Sequence, residues 1–191
     1  VGSEMCIRDS NISGRSMTYL EHCHYRSVDG VVIACVNFYD PQVVELVNSD
    51  VPVVTIDHVF NNRMAVLSDN VAGLKALVKQ AWACGHRRIA FIHGEKTSVT
   101  ENRIAGFYQA CEELGLEIPE EYVRDGVYHD VERCAEETRA LLALPQRPTC
   151  IIFPDDFSAL GGYNALAEAG LSIPDLSLIH ISEPTRLLSI S

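Results

Sequence analysis

The chain has 191 residues, 47% of them hydrophobic, and a formal net charge of −11. The apolar share is that of an ordinary globular protein. The acidic charge disfavours direct contact with nucleic acid, whose phosphates attract basic surfaces, and no apolar run approaches the ~20 residues of a membrane span. Composition therefore predicts a globular chain that neither reads DNA with its own surface nor crosses a membrane.

The two ends of the chain are related to each other through the genetic code. One DNA spelling of VGSEMCIRDS (residues 1–10), read as its reverse complement, encodes LSLIHISEPT (176–185). That spelling resembles a transposase adaptor used in preparing sequencing libraries. We therefore expect residues 1–10 and 176–191 to be adaptor-derived and exclude them from functional interpretation. Residues 11–175 are then expected to be an internal piece of a longer protein, although the apolar run 176–181 is β-prone enough to pair as an edge strand.

A strand–helix alternation begins in the first third of the chain. A helix end at residues 17–26 precedes the continuous apolar run VVIACV (31–36), which is typical of a strand buried on both faces of a parallel sheet. Pro41 opens a short helix at its favoured first position. Two further strands are predicted at VPVVTID (51–57) and AVLSD (65–69).

From residue 70 the hydrophobic period becomes that of a helix. Apolar side chains recur at helical spacing at Val71, Leu74, Val78 and Trp82. We expect a helix over residues 70–84 with Trp82 in the core, ended by Gly85.

The second half of the chain continues the alternation. Strands are predicted at 88–94, 122–128 and 149–154, and helices at 100–114, 130–144 and 156–169. Repeated strand–helix units imply an α/β fold with doubly wound sheets. The GHRR stretch (85–88) predicts a crossover between a partial N-terminal lobe, residues 11–86, and a partial C-terminal lobe, residues 87–175.

The cysteines outside the adaptor segments are scattered singly, without a CxxC pair. They are Cys23, Cys35, Cys84, Cys111, Cys134 and Cys150. We interpret them as small core residues in a reducing cytosol and predict no disulfide framework. The run His22, Cys23, His24 could suggest a metal, but neighbours at i and i+2 diverge on a helix and no second ligand pair follows, so no metal site is predicted.

Signatures of common enzyme classes do not occur in the sequence. It contains no GxGxxG, GxxxxGK[ST], GxSxG or HExxH pattern. Nucleophilic catalysis requires a nucleophile, a base and an orienting group together, and no pattern in the sequence indicates such a set. We predict neither an enzyme nor a cofactor.

Polar residues stand at the carboxyl ends of the predicted strands, where open α/β sheets bind ligands. Asp57 ends one strand, His93 another, and Asp155 with Asp156 a third. A carboxylate in this place can accept bonds from the paired hydroxyls of a sugar, or it can cap the following turn or helix. We expect Asp156 to be a cap, and for Asp57 and Asp155 both roles stay open.

Two further residues are candidates for ligand contact. Arg103 lies in the first turns of its predicted helix, where the helix dipole disfavours a cation, so it is either a solvated surface residue or has an anionic or hydroxylic partner. Tyr128 stands in a polar loop, where its ring either packs against the protein or stacks on a sugar or base.

Six motifs together resemble the effector-binding part of lactose-repressor (LacI/GalR) family transcriptional regulators. They are SVDGVVIA (27–34), VPVVTID (51–57), LSDNVAG (67–73), GHRRIAFIHG (85–94), ENRIAGFYQA (101–110) and PDDFSALGGYNALAEAGLSIPD (154–175). The resemblance implies two Rossmann-like lobes with a ligand cleft between them, as in periplasmic sugar-binding proteins.

The resemblance also implies a set of ligand-binding residues. Carried over position by position, the cleft contacts would be Asp57, Arg103, Tyr128 and Asp155, with Asp69 and Asn70 near the cleft and the lobe crossover. This chain has Pro-Asp-Asp at 154–156 where many relatives have Ala-Asn-Asp. The acid at position 155 leaves the identity of the ligand open.

The implied function is that of a cytoplasmic repressor. A small-molecule effector, a sugar or sugar derivative, would shift the population of a homodimer whose separate helix-turn-helix domain binds operator DNA. The alternatives are a periplasmic sugar-binding protein of a transport system on the same fold, an α/β enzyme, and a sensor joined to another kind of DNA-binding domain. The unpaired cysteines favour the cytoplasmic regulator.

Overall fold

The structure, a computed structural model, describes residues 11–12, 15–171 and 177–180. The chain divides into two compact units, Val1–Ser68 and Asp69–Ser191. The predicted adaptor segment 1–10 lies outside the described residues. The assignment of residues 11–86 and 87–175 to two lobes of a longer protein stays a prediction.

The first unit contains a small parallel sheet with two helices. Its elements are β1 (Asn11–Ile12), β2 (Arg15–Ser16), α1 (Tyr19–Arg26), β3 (Val31–Ile33), α2 (Pro41–Asn48), β4 (Val53–Ile56) and β5 (Met64–Val66). β1 pairs antiparallel with β2, and the parallel sheet has the order β3-β4-β5. The Asp40 carboxylate caps α2 and Pro41 stands in its first turn, which confirms the predicted helix start.

The core of the first unit lies on one face of this sheet. It consists of Ile33, Val43, Leu46, Val47, Val51 and Val53. The expectation that residues 31–36 form a strand buried on both faces was wrong, because Val32 is 65% exposed. Alternate residues of a strand point to opposite faces, and Val32 points away from the core. The strand ends at Ile33, and Cys35 two residues later has a left-handed backbone with φ 55°.

The second unit is a doubly wound α/β structure, as predicted. Its elements are α3 (Asn70–Ala83), β6 (Ile89–His93), α4 (Ser98–Glu113), a 3-10 turn (Glu120–Tyr122), β7 (Val123–Asp125), α5 (Val131–Leu142), β8 (Cys150–Phe153), α6 (Asp156–Glu168) and β9 (Ser177–His180). All strands run parallel in the order β7-β6-β8-β9. β9 falls in the predicted adaptor segment, and its pairing with β8 confirms that this run can form an edge strand.

Helices cover both faces of the central strands of the second unit. On one face α3 and α4 form a core with the sheet, which includes Leu74, Val78, Phe91, Phe107 and Ile152. On the other face α5 and α6 form a second core, which includes Cys134, Ile92, Leu141, Ile151, Phe153 and Leu166. Each fully buried aliphatic or aromatic side chain stabilises the fold by about 1.5–3 kcal/mol.

The expectation that Trp82 lies in the core was wrong. The buried face of α3 carries Leu74, Val78 and Ala81, while Trp82 is 37% exposed. One residue further along a helix turns a side chain by about 100°, which takes Trp82 off the buried face. Its ring instead supports the guanidinium of Arg87, 4.5 Å from the ring centroid.

The cysteines divide into buried and exposed groups. Cys111, Cys134 and Cys150 are buried as expected, but Cys35 and Cys84 are exposed, so the interpretation of all six as core residues was wrong. Burial raises the pKa of the Cys111 thiol to about 11 and that of Cys150 to about 12, so both stay protonated at neutral pH. Within the described ranges no helix is long and apolar enough to span a bilayer, and no three metal-ligating side chains cluster.

Two glycines allow the helix pairs of the second unit to approach closely. A Cβ at Gly106 would lie 2.5 Å from the Val71 carbonyl oxygen between α4 and α3. A Cβ at Gly161 would lie 2.1 Å from the Val131 carbonyl oxygen between α6 and α5. Neither helix pair can keep its present spacing with a larger residue at these positions.

Replacing these glycines therefore separates the helices. We expect Gly161→Ala and Gly106→Ala each to lower the free energy of unfolding by about 1–3 kcal/mol, measured by urea unfolding. Gly73→Ala on α3 is the matched control, since a Cβ there meets nothing within 4 Å and alanine favours a helix by up to about 1 kcal/mol. Equal urea midpoints for Gly161→Ala and the unchanged chain would contradict this packing.

Candidate ligand-binding site

The candidate site of the second unit lies at the carboxyl ends of the adjacent strands β6 and β8. The helix that follows β6 packs on one face of the sheet, and the helix that follows β8 packs on the other. The connections therefore leave these two strands in opposite directions and open a crevice between them. Such a reversal of strand order is where open α/β sheets bind ligands.

The guanidinium of Arg103 is the central group of this crevice. From the second turn of α4 its Nε donates to Asn70 Oδ1 at 2.9 Å, and its Nη1 donates to the Pro154 carbonyl at 3.1 Å. Nη1 also reaches the Tyr128 hydroxyl at 3.5 Å. All three acceptors are neutral, and within the described part of the chain no carboxylate lies within ion-pair distance of the half-buried guanidinium. Nη2 makes none of these hydrogen bonds.

Tyr128 forms one wall of the crevice. Its hydroxyl shares a 2.9 Å hydrogen bond with Thr100 Oγ1, and its ring centroid lies 5.8 Å from the Arg103 guanidinium carbon. The ring also lies against Gly94, where an added Cβ would come within 2.1 Å of a ring carbon. The half-buried position of the ring thus depends on a residue without a side chain.

Asp155 is the cap of α6, which corrects the expectation that Asp156 has this role. Asp155 Oδ1 accepts from the Ser158 backbone N–H at 2.9 Å, and Asp156 is the first residue of the helix. Asp155 Oδ2 accepts from the Ser158 hydroxyl at 3.1 Å and from the His129 backbone N–H at 2.9 Å. The structure therefore shows the capping role of Asp155, one of the two roles left open, and its contact with a ligand stays a prediction.

The other predicted site residues take local structural roles. Asp69 caps α3 by accepting from the Ala72 backbone N–H at 3.0 Å, while Asn70 contacts Arg103. Asp57 belongs to the first unit, where it has a left-handed backbone with φ 60° and accepts from the Ser68 backbone N–H at 3.0 Å. The structure thus brings Asn70, Arg103 and Tyr128 together, with Asp69 and Asp155 beside them in sequence or space.

Sequence reasoning missed four residues of this crevice. Three of them contact Tyr128: Gly94 lies against its ring, Glu95 accepts from its backbone N–H, and Thr100 shares a hydrogen bond with its hydroxyl. The fourth, His129, donates its backbone N–H to Asp155. The one available signal was Gly94 directly after a strand, since glycine there is typical of close approach. The arrangement offers N–H donors, carboxylate acceptors and an aromatic face, which together suit a small polar ligand.

Comparison with known proteins supports this interpretation. Residues 78–191 match the model of the periplasmic binding protein-like domain, and this range includes the predicted adaptor segment 176–191. The HTH-type transcriptional repressor PurR of Haemophilus influenzae is 31% identical over 182 residues, 93% of this chain and 54% of that protein. The ribose operon repressor of the same species is 30% identical, over 84% of this chain and 49% of that protein. The chain thus spans about half the length of the curated relatives it matches.

Solved structures agree with the sequence relatives. A regulatory protein of the LacI family from Chloroflexus aggregans is 30% identical with a TM-score of 0.71, over 85% of this chain and 59% of that one. A putative LacI regulator from Bacillus cereus subsp. cytotoxis is 25% identical with a TM-score of 0.72, over 87% and 60%. The chain belongs to the periplasmic binding protein-like domain family, and its fold resembles that of solved LacI-family regulators.

Proposed function

We propose that this chain is the effector-sensing part of a cytoplasmic transcriptional repressor and binds a sugar or sugar derivative between two lobes. The observation that carries the proposal is Arg103, a half-buried cation held by three neutral acceptors, with Nη2 left for a ligand. A half-buried charge is costly to desolvate unless it is both hydrogen-bonded and paired with an opposite charge or a further polar group. A ligand hydroxyl or anionic group at Nη2 would supply that further partner.

The surrounding residues favour a hydroxylated ligand. The Tyr128 ring offers a flat apolar face of the kind that packs on the C–H face of a sugar, and Asn70 adds a side-chain amide next to the guanidinium. Asp57 and Asp69 complete the proposed contacts, since a carboxylate that accepts one backbone N–H keeps lone pairs for ligand hydroxyls. Asp155 already accepts three hydrogen bonds, one of them from the His129 N–H directly after Tyr128.

In the proposed mechanism the ligand changes DNA affinity without touching DNA. A helix-turn-helix domain elsewhere in the full-length protein binds operator DNA, which this acidic chain is unsuited to do. The ligand shifts the population of lobe arrangements, and by linkage DNA binding changes ligand affinity by the same factor. The chain performs no chemistry in this scheme. A periplasmic sugar-binding role on the same fold is the second candidate, and the repressor names of the relatives favour the first.

We also infer that the regulator is a homodimer. α6 presents three half-exposed apolar side chains at spacings of three residues, Phe157, Leu160 and Tyr163, which are 52%, 49% and 42% exposed. Residues three apart lie on one side of a helix, so they form a single stripe. A second copy of the regulator is the proposed occupant of that stripe.

The ligand proposal is tested on Arg103. In the full-length regulator we expect D-ribose, D-glucose, D-galactose or D-glucose 6-phosphate to raise the melting temperature. Arg103→Ala should weaken binding of that sugar by about 10–100-fold, because a hydrogen bond to a charged group contributes about 1.5–3 kcal/mol. Isothermal titration calorimetry measures the loss, and Arg87→Ala, a charge removal beside Trp82, is the control that should keep wild-type affinity.

Two results would contradict the ligand proposal in different ways. Full affinity in Arg103→Ala would remove this residue from the site. A purine or an amino acid that stabilises the protein, where the sugars do not, would replace the proposed ligand class and leave the regulator assignment in place.

The dimer is tested on the α6 stripe. Leu160→Asp should shift the full-length regulator towards monomer in sedimentation velocity at micromolar concentration, since a carboxylate is costly to bury at an apolar contact. Tyr108→Asp is the matched control, because Tyr108 is similarly exposed, at 44%, on α4. A Leu160→Asp protein that sediments like the wild type would exclude α6 as the contact.

A further inference from the structure

Two consecutive backbone amides beside the candidate site are each held by a carboxylate. The Tyr128 N–H donates to Glu95 Oε2 at 2.8 Å, and the His129 N–H donates to Asp155 Oδ2 at 2.9 Å. Glu95 follows β6, Asp155 follows β8, and the two amides lie between β7 and α5. The carboxylates therefore join three loops at one edge of the sheet.

The oxygens of Asp155 are occupied by donors from the protein itself. Oδ1 accepts from the Ser158 N–H at 2.9 Å, and Oδ2 accepts from the Ser158 hydroxyl at 3.1 Å and the His129 N–H at 2.9 Å. The imidazole Nδ1 of His129 is a further neighbour of Asp155, 3.6 Å from Oδ1. Only 15% of the Asp155 side chain is exposed, so little of it faces a ligand.

The backbone that Asp155 holds is conformationally strained. His129 has φ 61°, a left-handed conformation that side chains other than glycine adopt rarely and at a cost. Such a conformation persists where the surroundings hold it. The bond from the His129 N–H to Asp155 is one such restraint, and it acts on the residue directly after Tyr128.

We propose that Asp155 is a positioning residue that sets the place of the Tyr128 ring, rather than a residue that touches the effector. The ring lies against Gly94, and its hydroxyl lies between Thr100 and Arg103. A shift of the backbone at 128–129 would move the ring and remove one partner of Arg103. This inference rests on the proposed function, since Tyr128 and Arg103 are the proposed ligand contacts.

The chemistry of the cap explains why position 155 is an acid. Both carboxylate oxygens accept from backbone N–H groups, one from Ser158 and one from His129. An asparagine can accept through its oxygen alone, so its NH₂ group would face an N–H donor on one side. Glu95 differs in this respect, because a single oxygen accepts from Tyr128 and a glutamine could keep that bond.

The same acid-to-amide change at the two carboxylates therefore separates their roles. In Asp155→Asn we expect the His129 amide to exchange its proton at least tenfold faster, measured by NMR on the chain labelled with ¹⁵N-histidine. On the chain labelled with ¹⁵N-arginine, the Arg103 Nε–H signal should shift as Tyr128 moves, which a purely local helix cap would not cause. Glu95→Gln, the matched control, should leave both signals in place.

An affinity measurement completes the test in the full-length regulator. Asp155→Asn should weaken binding of the sugar that raises the wild-type melting temperature, D-ribose being the first probe, by tenfold or more. Asp40→Asn, the same change at the acid that caps α2 in the first unit, should not. Unchanged His129 exchange with lost affinity would overturn the inference in favour of direct ligand contact. Faster exchange of the His129 amide would also overturn the inference if either the Arg103 signal or the sugar affinity stayed at its wild-type value. Asp155 would then act only as the cap of α6. If the wild type binds no sugar, the proposed ligand class fails, and the two NMR signals still decide the role of Asp155.

Discussion

The guanidinium of Arg103 joins three segments of the second unit that are distant in sequence. Its partners are Asn70 at the start of α3, Tyr128 after β7 and the Pro154 carbonyl at the end of β8. Because every partner is neutral, these bonds orient the cation without neutralising it. The same bonds that arrange the crevice thus leave a charged donor in it, and the proposed function depends on that combination.

The architecture that places Arg103 follows from simple sequence patterns. The central strands β6 and β8 are buried almost throughout, and their continuous apolar runs predicted them. Close helix contacts at Gly106 and Gly161 fix α3 on α4 and α6 on α5. The two helix pairs cover opposite faces of the sheet, so the loops after β6 and β8 open a crevice at its edge.

Sequence patterns were less informative about the exposure of single side chains and the exact position of a helix cap. These features depend on which neighbouring element covers a face, or on a shift of one residue along the chain. The exposure of Val32 depends on which face of β3 is covered, and that of Trp82 on a rotation of one residue around α3. The cap of α6 fell one residue before its predicted place, since either acid of the pair 155–156 satisfies the pattern. Glu95 and Thr100 carried no signal, because their contacts with Tyr128 span about thirty residues of chain.

The most direct measurement is a crystal structure of the full-length protein with the proposed ligand bound. We expect Nη2 of Arg103 to donate to a ligand oxygen at about 2.7–3.2 Å, with the Tyr128 ring against the ligand and both Asp155 oxygens still accepting from backbone N–H groups. A ligand bound away from Arg103, with the guanidinium keeping only its three protein partners, would contradict this expectation.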